Sequence, residues 1–351
     1  MKMKEKFLKA VPLLCEWFEK GHREMYWRSH PKPYYVWISE IMLQQTRIEA
    51  VMGYYARFME KLPDVKSLSE VPEDELLKLW EGLGYYNRAR NLKKAAVQVM
   101  EQYDGVLPAD YEKLKGLAGI GNYTAGAIAS IAYGIPAPAV DGNVLRVVMR
   151  YLNCEDDISK MSVRRRLEQS ILDVIPKDIP GEFNQAIMEL GEVICIPNGM
   201  PLCDECPLKE SCQGRKAGRQ LELPVKPEKK ARRIEKKTIL LLEYNGKIGI
   251  RKRHSQGLLA GMWEFPSLPD YRTETALRKE LEEMGMEICE ISGPVKGKHI
   301  FSHVEWHMKG YKVVLSGQPT QHIVQNIIFV EREALEREYA LPVAFHGFLQ
   351  S

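Results

Sequence analysis

Two carboxylates stand where proton chemistry is plausible on residue grounds. Glu40 lies in Tyr35-Val-Trp37-Ile-Ser-Glu40-Ile-Met-Leu43-Gln44-Gln45-Thr46, and helical spacing puts Glu40, Leu43 and Gln44 on one face. A carboxyl beside Trp27 and Leu43 is partly desolvated, which raises its pKa and readies it as an acid. Taken alone, a Glu near a helix start is more often exposed. Asp141 precedes Gly142-Asn143-Val144. In isolation it reads as a helix cap, since Asp is among the best N-cap residues.

A third motif could hold an anion. Leu117-Ala-Gly119-Ile-Gly121-Asn-Tyr123 has glycines two apart ahead of a helix, with a short helix predicted at Tyr111 to Lys115. Such a turn presents free N–H groups at a helix N-terminus, where negative charge is favoured. This predicts a helix-hairpin-helix gripping a DNA phosphate; a plain tight turn is the alternative.

Four of the seven cysteines, Cys195, Cys203, Cys206 and Cys212, crowd into one segment with gaps of seven, two and five residues. The clustering suits a metal site in a reducing compartment better than a disulfide scaffold. One close pair flanked by longer gaps favours four thiolates around a [4Fe–4S] cluster over zinc, which more often takes two close pairs. Cys15, Cys154 and Cys289 read as buried core thiols.

These residues need elements to hold them. The 351 residues exceed one ordinary core, so two domains are expected. Hydrophobic and charged fractions of 45% and 28% exclude disordered and low-complexity classes, and a net charge of +3 announces no polyanion partner globally. Residues 1–212 read as helical, with apolar residues at three- and four-residue spacing and no alternation of strands with helices. Met1 to Lys20 reads as an amphipathic helix rather than a secretory signal. Gly116 to Val140 lacks charge, but its glycines and prolines leave only about Tyr123 to Tyr133 as unbroken helix, a buried core helix rather than a membrane span.

Residues 213–237 hold ten basic residues against three acids, with Pro224 and Pro227, and read as a linker, either solvated or lying along phosphates. From residue 238 the period changes. Thr238 to Tyr244, Asn245-Gly246 and Lys247 to Arg251 predict a type I′ hairpin. A helix near Thr275 to Met284 and strands around His299 to Leu315 follow, so residues 238–351 read as an α+β domain.

The helix-hairpin-helix and Asp141 together resemble the helix-hairpin-helix, Gly/Pro-Asp superfamily of DNA glycosylases. The string from Tyr26-Trp27-Arg28 through Thr46 is very similar to the adenine DNA glycosylases, the MutY family. So are Gly82-Leu-Gly-Tyr85-Tyr86-Asn87-Arg88 and Phe183-Asn-Gln185-Ala-Ile-Met-Glu-Leu-Gly-Glu. The resemblance covers nearly the whole chain. It implies an iron–sulfur cluster loop at 195–212, although the first gap is usually six residues where this chain has seven. Arg278 to Met286 looks like the end of a Nudix box with Lys279 where a Glu belongs, implying a Nudix-like fold without Mg²⁺-dependent hydrolysis. Phe301-Ser302-His303 resembles the family's recognition loop, with Ser302 as reader of 8-oxoguanine.

The resemblance also implies a mechanism. Glu40 protonates an extruded adenine, and Asp141 faces the sugar and stabilises the cation. Tyr123 and Asn143 position these groups. Tyr123 replaces the lysine of bifunctional relatives, so the chain would be monofunctional and leave an abasic site. Trp27, Arg28, Leu43 and Gln185 line the base pocket, and Gln45 and Tyr85 are wedges in the duplex. The expected partner is double-stranded DNA with an 8-oxoguanine:adenine mispair, met by a cytoplasmic, nucleoid-associated monomer with no membrane contact. A catalytically silent mismatch binder and a glycosylase for another mispair are the alternatives.

Overall fold

In a computed structural model, the protein is described over residues 3–227, 231–317 and 326–349. The chain divides into two units, Met1–Glu70 with Asn91–Glu228, and Val71–Arg90 with Lys229–Ser351.

The first unit is helical. Helices Met3–Gly21, Gly142–Leu152 and Pro180–Val193 share a core that includes Phe7, Leu14, Val148, Phe183 and Leu190, all nearly inaccessible. Each contributes apolar residues three or four apart, the spacing that puts them on one stripe. The charge-free stretch forms a helix at Asn122–Ala127 that widens into a π turn at Ile128–Ala132. No described helix is long and apolar enough to cross a membrane. Close packing here depends on Gly126, because a Cβ at this position would lie 2.1 Å from the Pro138 carbonyl oxygen. The approach brings the segment leading to Asp141 against this helix.

The basic stretch expected as a linker is largely tied down. Gln213–Lys216 is a short helix, Leu223 is buried, and the Leu223 carbonyl accepts from Arg150 Nε at 2.9 Å. Ile158 N donates to the Val225 carbonyl at 3.3 Å. Part of the charge is neutralised, Arg215 by Asp204 at 3.1 Å and Arg219 by Glu155 and Glu222. Residues 228–230 lie outside the described residues.

The second unit carries a mixed sheet. Its strands are β1 (Arg233–Tyr244), β2 (Lys247–Lys252), β3 (Trp263–Glu264), β4 (Ser267–Pro269), β5 (Ile288–Ile300), β6 (Val304–Leu315) and β7 (Ile327–Val330). The order is β3-β2-β1-β6-β5, with β4 on β1 and β7 on β2. Among the described residues only β1 and β6 pair in parallel. β1 begins at Arg233, earlier than the period change at Thr238 indicated, because its first residues are polar on both faces yet pair with Val304 onward. Asn245 and Gly246 turn the β1–β2 hairpin with φ of 48° and 76°, the left-handed geometry a type I′ turn requires.

Side chains alternate across β1 and β6 into two cores. Ile239, Trp306, Met308 and Phe345 fill one, while Leu240, Leu242, Val313 and, from helix Glu274–Glu283, Leu277 and Leu281 fill the other. Two of the expected core thiols are half-buried, Cys15 and Cys154. Cys289 is exposed, contrary to expectation, because it sits near the start of an edge strand.

Replacing Gly126 with Ala should destabilise the helical unit by about 2 kcal/mol or more, since the intruding methyl meets backbone that cannot step aside. Urea unfolding followed by circular dichroism measures the loss; unchanged stability would mean that the contact is relieved by rearrangement.

Candidate active site

A cavity of about 70 Å³ opens in the helical unit, lined by Trp27, Arg28, Glu40, Leu43, Tyr123, Asp141, Asn143 and Gln185 among others. The expected pocket residues therefore converge. Glu40 projects from helix Pro33–Leu43 and is 6% exposed. The Tyr123 hydroxyl donates to Glu40 Oε2 and lies 3.5 Å from Met188 Sδ. Tyr123 is the second residue of the hairpin helix, so the helix-hairpin-helix delivers this donor directly to the acid. Burial lifts the Glu40 carboxyl to about 7; the tyrosine hydrogen bond opposes that rise, and the Asp141 charge adds to it.

Asp141 caps helix Gly142–Leu152. Its Oδ1 accepts from Val144 N at 2.7 Å and its Oδ2 from Asn143 Nδ2 at 2.9 Å. The cap reading of this residue is correct, and the same residue also lines the cavity. Burial raises its pKa to about 6, and the backbone N–H groups of Val144 and Asn143 keep it from rising further. Glu40 titrates above Asp141, so between these values the proton rests on Glu40 while Asp141 is charged. The Tyr123 hydroxyl, buried beside both acids, is held well above the usual phenol range.

Behind this pair lies a chain of guanidiniums. Asn143 Oδ1 accepts from Arg146 Nη2 at 2.8 Å, and Arg146 Nε donates to the Cys195 carbonyl at 2.7 Å. Arg150 Nη1 reaches Cys195 Sγ at 3.4 Å. Asp141 is therefore braced, through Asn143 and Arg146, on the segment that carries the cysteines. Cys195, Cys203, Cys206 and Cys212 line a single cavity together with Arg150, Lys209 and Arg215, and all four are free thiols. Among the described residues no three His, Cys, Asp or Glu side chains converge as ligands of one ion. Four thiols lining one cavity are a donor set able to hold a metal group.

Met188, Glu189 and Glu192 also line the cavity, although sequence reasoning gave them no role. Arg28 donates to Glu189 Oε2 at 2.8 Å and to the Arg23 carbonyl at 3.0 Å, so part of its guanidinium is committed to protein rather than to a base edge. Arg23 grips Glu189 as well, at 2.6 Å, and also contacts Glu192. Burial works against charge on Glu189, and the Arg23 and Arg28 guanidiniums overcome it, holding the carboxyl at about 2. Gln185, Met188, Glu189 and Glu192 occupy one face of helix Pro180–Val193, and that i, i+3, i+4, i+7 spacing was the signal available in the sequence.

The wedge candidates share a conformation. Gln45 and Tyr85 both have positive φ, 59° and 49°, and both are exposed. Bulky side chains rarely adopt this strained region, which favours functional turns. Thr46 Oγ1 lies 3.4 Å from the Gln44 carbonyl and helps close the first turn. In the second unit, the Tyr85 hydroxyl lies 3.1 Å from Ser302 Oγ, and His303 is exposed beside it in the β5–β6 turn. Gly119 has φ of 75° and would bring a Cβ within 2.6 Å of Asn91 Cβ, whereas Gly121 caps the next helix in an extended conformation.

Comparison with known proteins agrees with this geometry. A model of the HhH-GPD superfamily base excision DNA repair proteins matches residues 38–172, and a NUDIX domain model matches residues 238–351. Fold and site together define a DNA glycosylase with an appended Nudix-like domain. The chain is 33% identical to the human adenine DNA glycosylase, over 87% of this chain and 67% of that protein. It is 32% identical to the adenine DNA glycosylase of Buchnera aphidicola subsp. Baizongia pistaciae, over 86% and 85%. The solved structure of a non-covalent endonuclease III–DNA complex is similar at a TM-score of 0.53 and 28% identity, covering 62% of this chain and 99% of that one. The chain belongs to the adenine DNA glycosylase family.

A carboxyl whose pKa rises on folding binds its proton more tightly in the folded state. Stability should therefore fall as pH rises from the ordinary value of 4.5 through about 7. Glu40→Gln, which keeps an acceptor for Tyr123, should be the more stable protein at about pH 8, by up to about 3 kcal/mol, and should lose that advantage near pH 4. Urea titrations at the two pH values measure this; a difference independent of pH would contradict it.

Proposed function

We propose that this glycosylase hydrolyses the N-glycosidic bond of adenine paired with 8-oxoguanine in double-stranded DNA, leaving an abasic site. The observation that supports the reading most is the pair Glu40 and Asp141, facing one cavity with their proton affinities in the order the reaction needs. The adenine leaves poorly unless protonated, and the sugar becomes cationic as it leaves. Glu40, protonated, donates to the base. Asp141, charged and fixed by Val144 N and Asn143, stabilises the cationic sugar until water adds. Tyr123 orients Glu40 and offers no amine for attack on the sugar, so no strand cleavage accompanies base loss.

Trp27, Leu43, Arg28 and Gln185 form the base pocket in this reading. Gln45 and Tyr85 fill the stack after extrusion, Gly119 and Gly121 hold a phosphate, and Ser302 and His303 read the 8-oxoguanine. Cys195, Cys203, Cys206 and Cys212 would hold a [4Fe–4S] cluster, which supplies cross-links through the loop that supports Arg146 and Arg150. Glu282 and Glu283, 3.6 Å and 3.8 Å from Arg278 and Lys279, are occupied with cations on their own helix, in keeping with a reading rather than hydrolytic role for the second domain. The setting we assign is the nucleoid, with the protein acting as a monomer.

With an 8-oxoguanine:adenine duplex, strand breaks should appear only after alkali. Single-turnover excision should be fastest between about pH 6 and 7, where Asp141 is charged and Glu40 protonated. Asp141→Asn should bind the duplex and excise slower by orders of magnitude. Full excision by Asp141→Asn, or breaks without alkali, would overturn the proposal.

A further inference from the structure

One face of the sheet in the second unit is covered at one end only. Helix Glu274–Glu283 packs its Leu277 and Leu281 on Leu240, Leu242 and Val313. Towards the β5–β6 turn the helix no longer covers this face, and three rows of residues cross β1, β6 and β5 in register; of their members Thr238 alone is buried, under the Asp270–Arg272 segment. They are Ile234–Glu305–Ile300, Lys236–His307–Lys298 and Thr238–Lys309–Lys296. The alternate residues Trp306 and Met308 are buried on the opposite face, so these rows share one side.

The open rows are strongly cationic. Lys236, Lys296 and Lys298 are exposed, and Lys309 is partly so. Lys298 pairs with Glu305 at 2.9 Å, and His307 lies 3.3 Å from the same carboxylate. Among the described residues, no carboxylate lies within ion-pair distance of Lys236, Lys296 or Lys309; Asp270 is held nearby through its own N–H to the Lys236 carbonyl. Lys236 and Lys309 instead flank the Tyr271 ring, at 5.7 Å and 4.7 Å from its centre. Ile234 and Ile300, 56% and 51% exposed, extend the face to the turn that holds Ser302. Rows on a strand repeat about every 7 Å, close to the separation of successive phosphates on one DNA strand.

We propose that this face, Lys236, Lys296, Lys298 and Lys309, is a phosphate-binding surface for the duplex flanking the mispair. The inference rests on the proposed DNA substrate and is carried by charge complementarity and by continuity with the Phe301–His303 turn. Contacts to phosphates position without reading sequence. The face therefore contributes affinity to any duplex and leaves the chemistry at Asp141 untouched.

The test is fluorescence anisotropy with the full-length protein carrying K236Q, K296Q, K298Q and K309Q, on lesion-bearing and undamaged duplexes of about three helical turns. Each lost phosphate contact lowers the slope of log affinity against log salt by about 0.9. The variant should lose about 2 to 4 from that slope and at least about ten-fold in affinity on both duplexes, with single-turnover excision at saturating enzyme unchanged. Glu305→Gln should bind more tightly than the wild type. An unchanged slope and affinity would overturn the proposal and leave the face to an acidic protein surface. A loss confined to the lesion duplex would overturn it too, by making the lysines lesion readers. If wild-type protein bound DNA but released no adenine, the proposed reaction would fail while the slope comparison stood.

Discussion

Two carboxyl groups buried in one cavity repel each other's charge, and their other neighbours decide which of them keeps a proton. Asp141 has a backbone N–H and an amide directed at its oxygens; Glu40 has a single tyrosine hydroxyl. The charged form is better solvated at Asp141, so Glu40 is the acid that holds its proton to the higher pH. This division of labour needs no special residue types. It follows from placing one acid at a helix N-terminus and the other inside a helix among apolar side chains.

Much of the helical unit serves that placement. Gly126 lets the segment before Asp141 lie against the hairpin helix, and the same helix carries Tyr123 to Glu40. Arg146 ties Asn143 to the cysteine segment, so the loop around Cys195 bears on the orientation of Asp141 at a distance from the cavity. On the cavity's far wall, Arg23 and Arg28 hold Glu189 charged and thereby fix the helix that presents Gln185 and Met188. In the second unit, Tyr85 and Ser302 meet at 3.1 Å although far apart in sequence, which gives the proposed wedge and the proposed reader a common footing.

The sequence made the cavity's lining legible where residue type and spacing coincide. Glu40, Asp141, Tyr123 and Asn143 stand out because helix caps and helical faces are local properties. The Asn245-Gly246 hairpin was equally plain, since its turn geometry restricts the residues that fit. The boundary of β1 was not, because Arg233 to Lys237 has no alternation of polarity and becomes a strand only through pairing with β6. Arg23, Glu189 and Glu192 were passed over for a related reason. Charged residues on a helix usually face water, and only the pairing of the two acids with Arg23 and Arg28 at the cavity wall makes these ones matter. Cys289 erred the other way, a thiol expected inside that an edge strand leaves outside. The basic stretch after Cys212 read as a linker from composition, yet buried Leu223 and the Arg150 bond to its carbonyl anchor it.

The unequal proton affinity of the two acids can be observed directly. Carboxyl carbons labelled with ¹³C in all Glu and Asp residues would be followed by NMR across pH, with Glu40→Gln and Asp141→Asn assigning the two signals. The account requires a glutamate that titrates near 7 and an aspartate that titrates near 6. Both signals moving together at ordinary carboxylate pH, or the aspartate holding its proton above the glutamate, would contradict it.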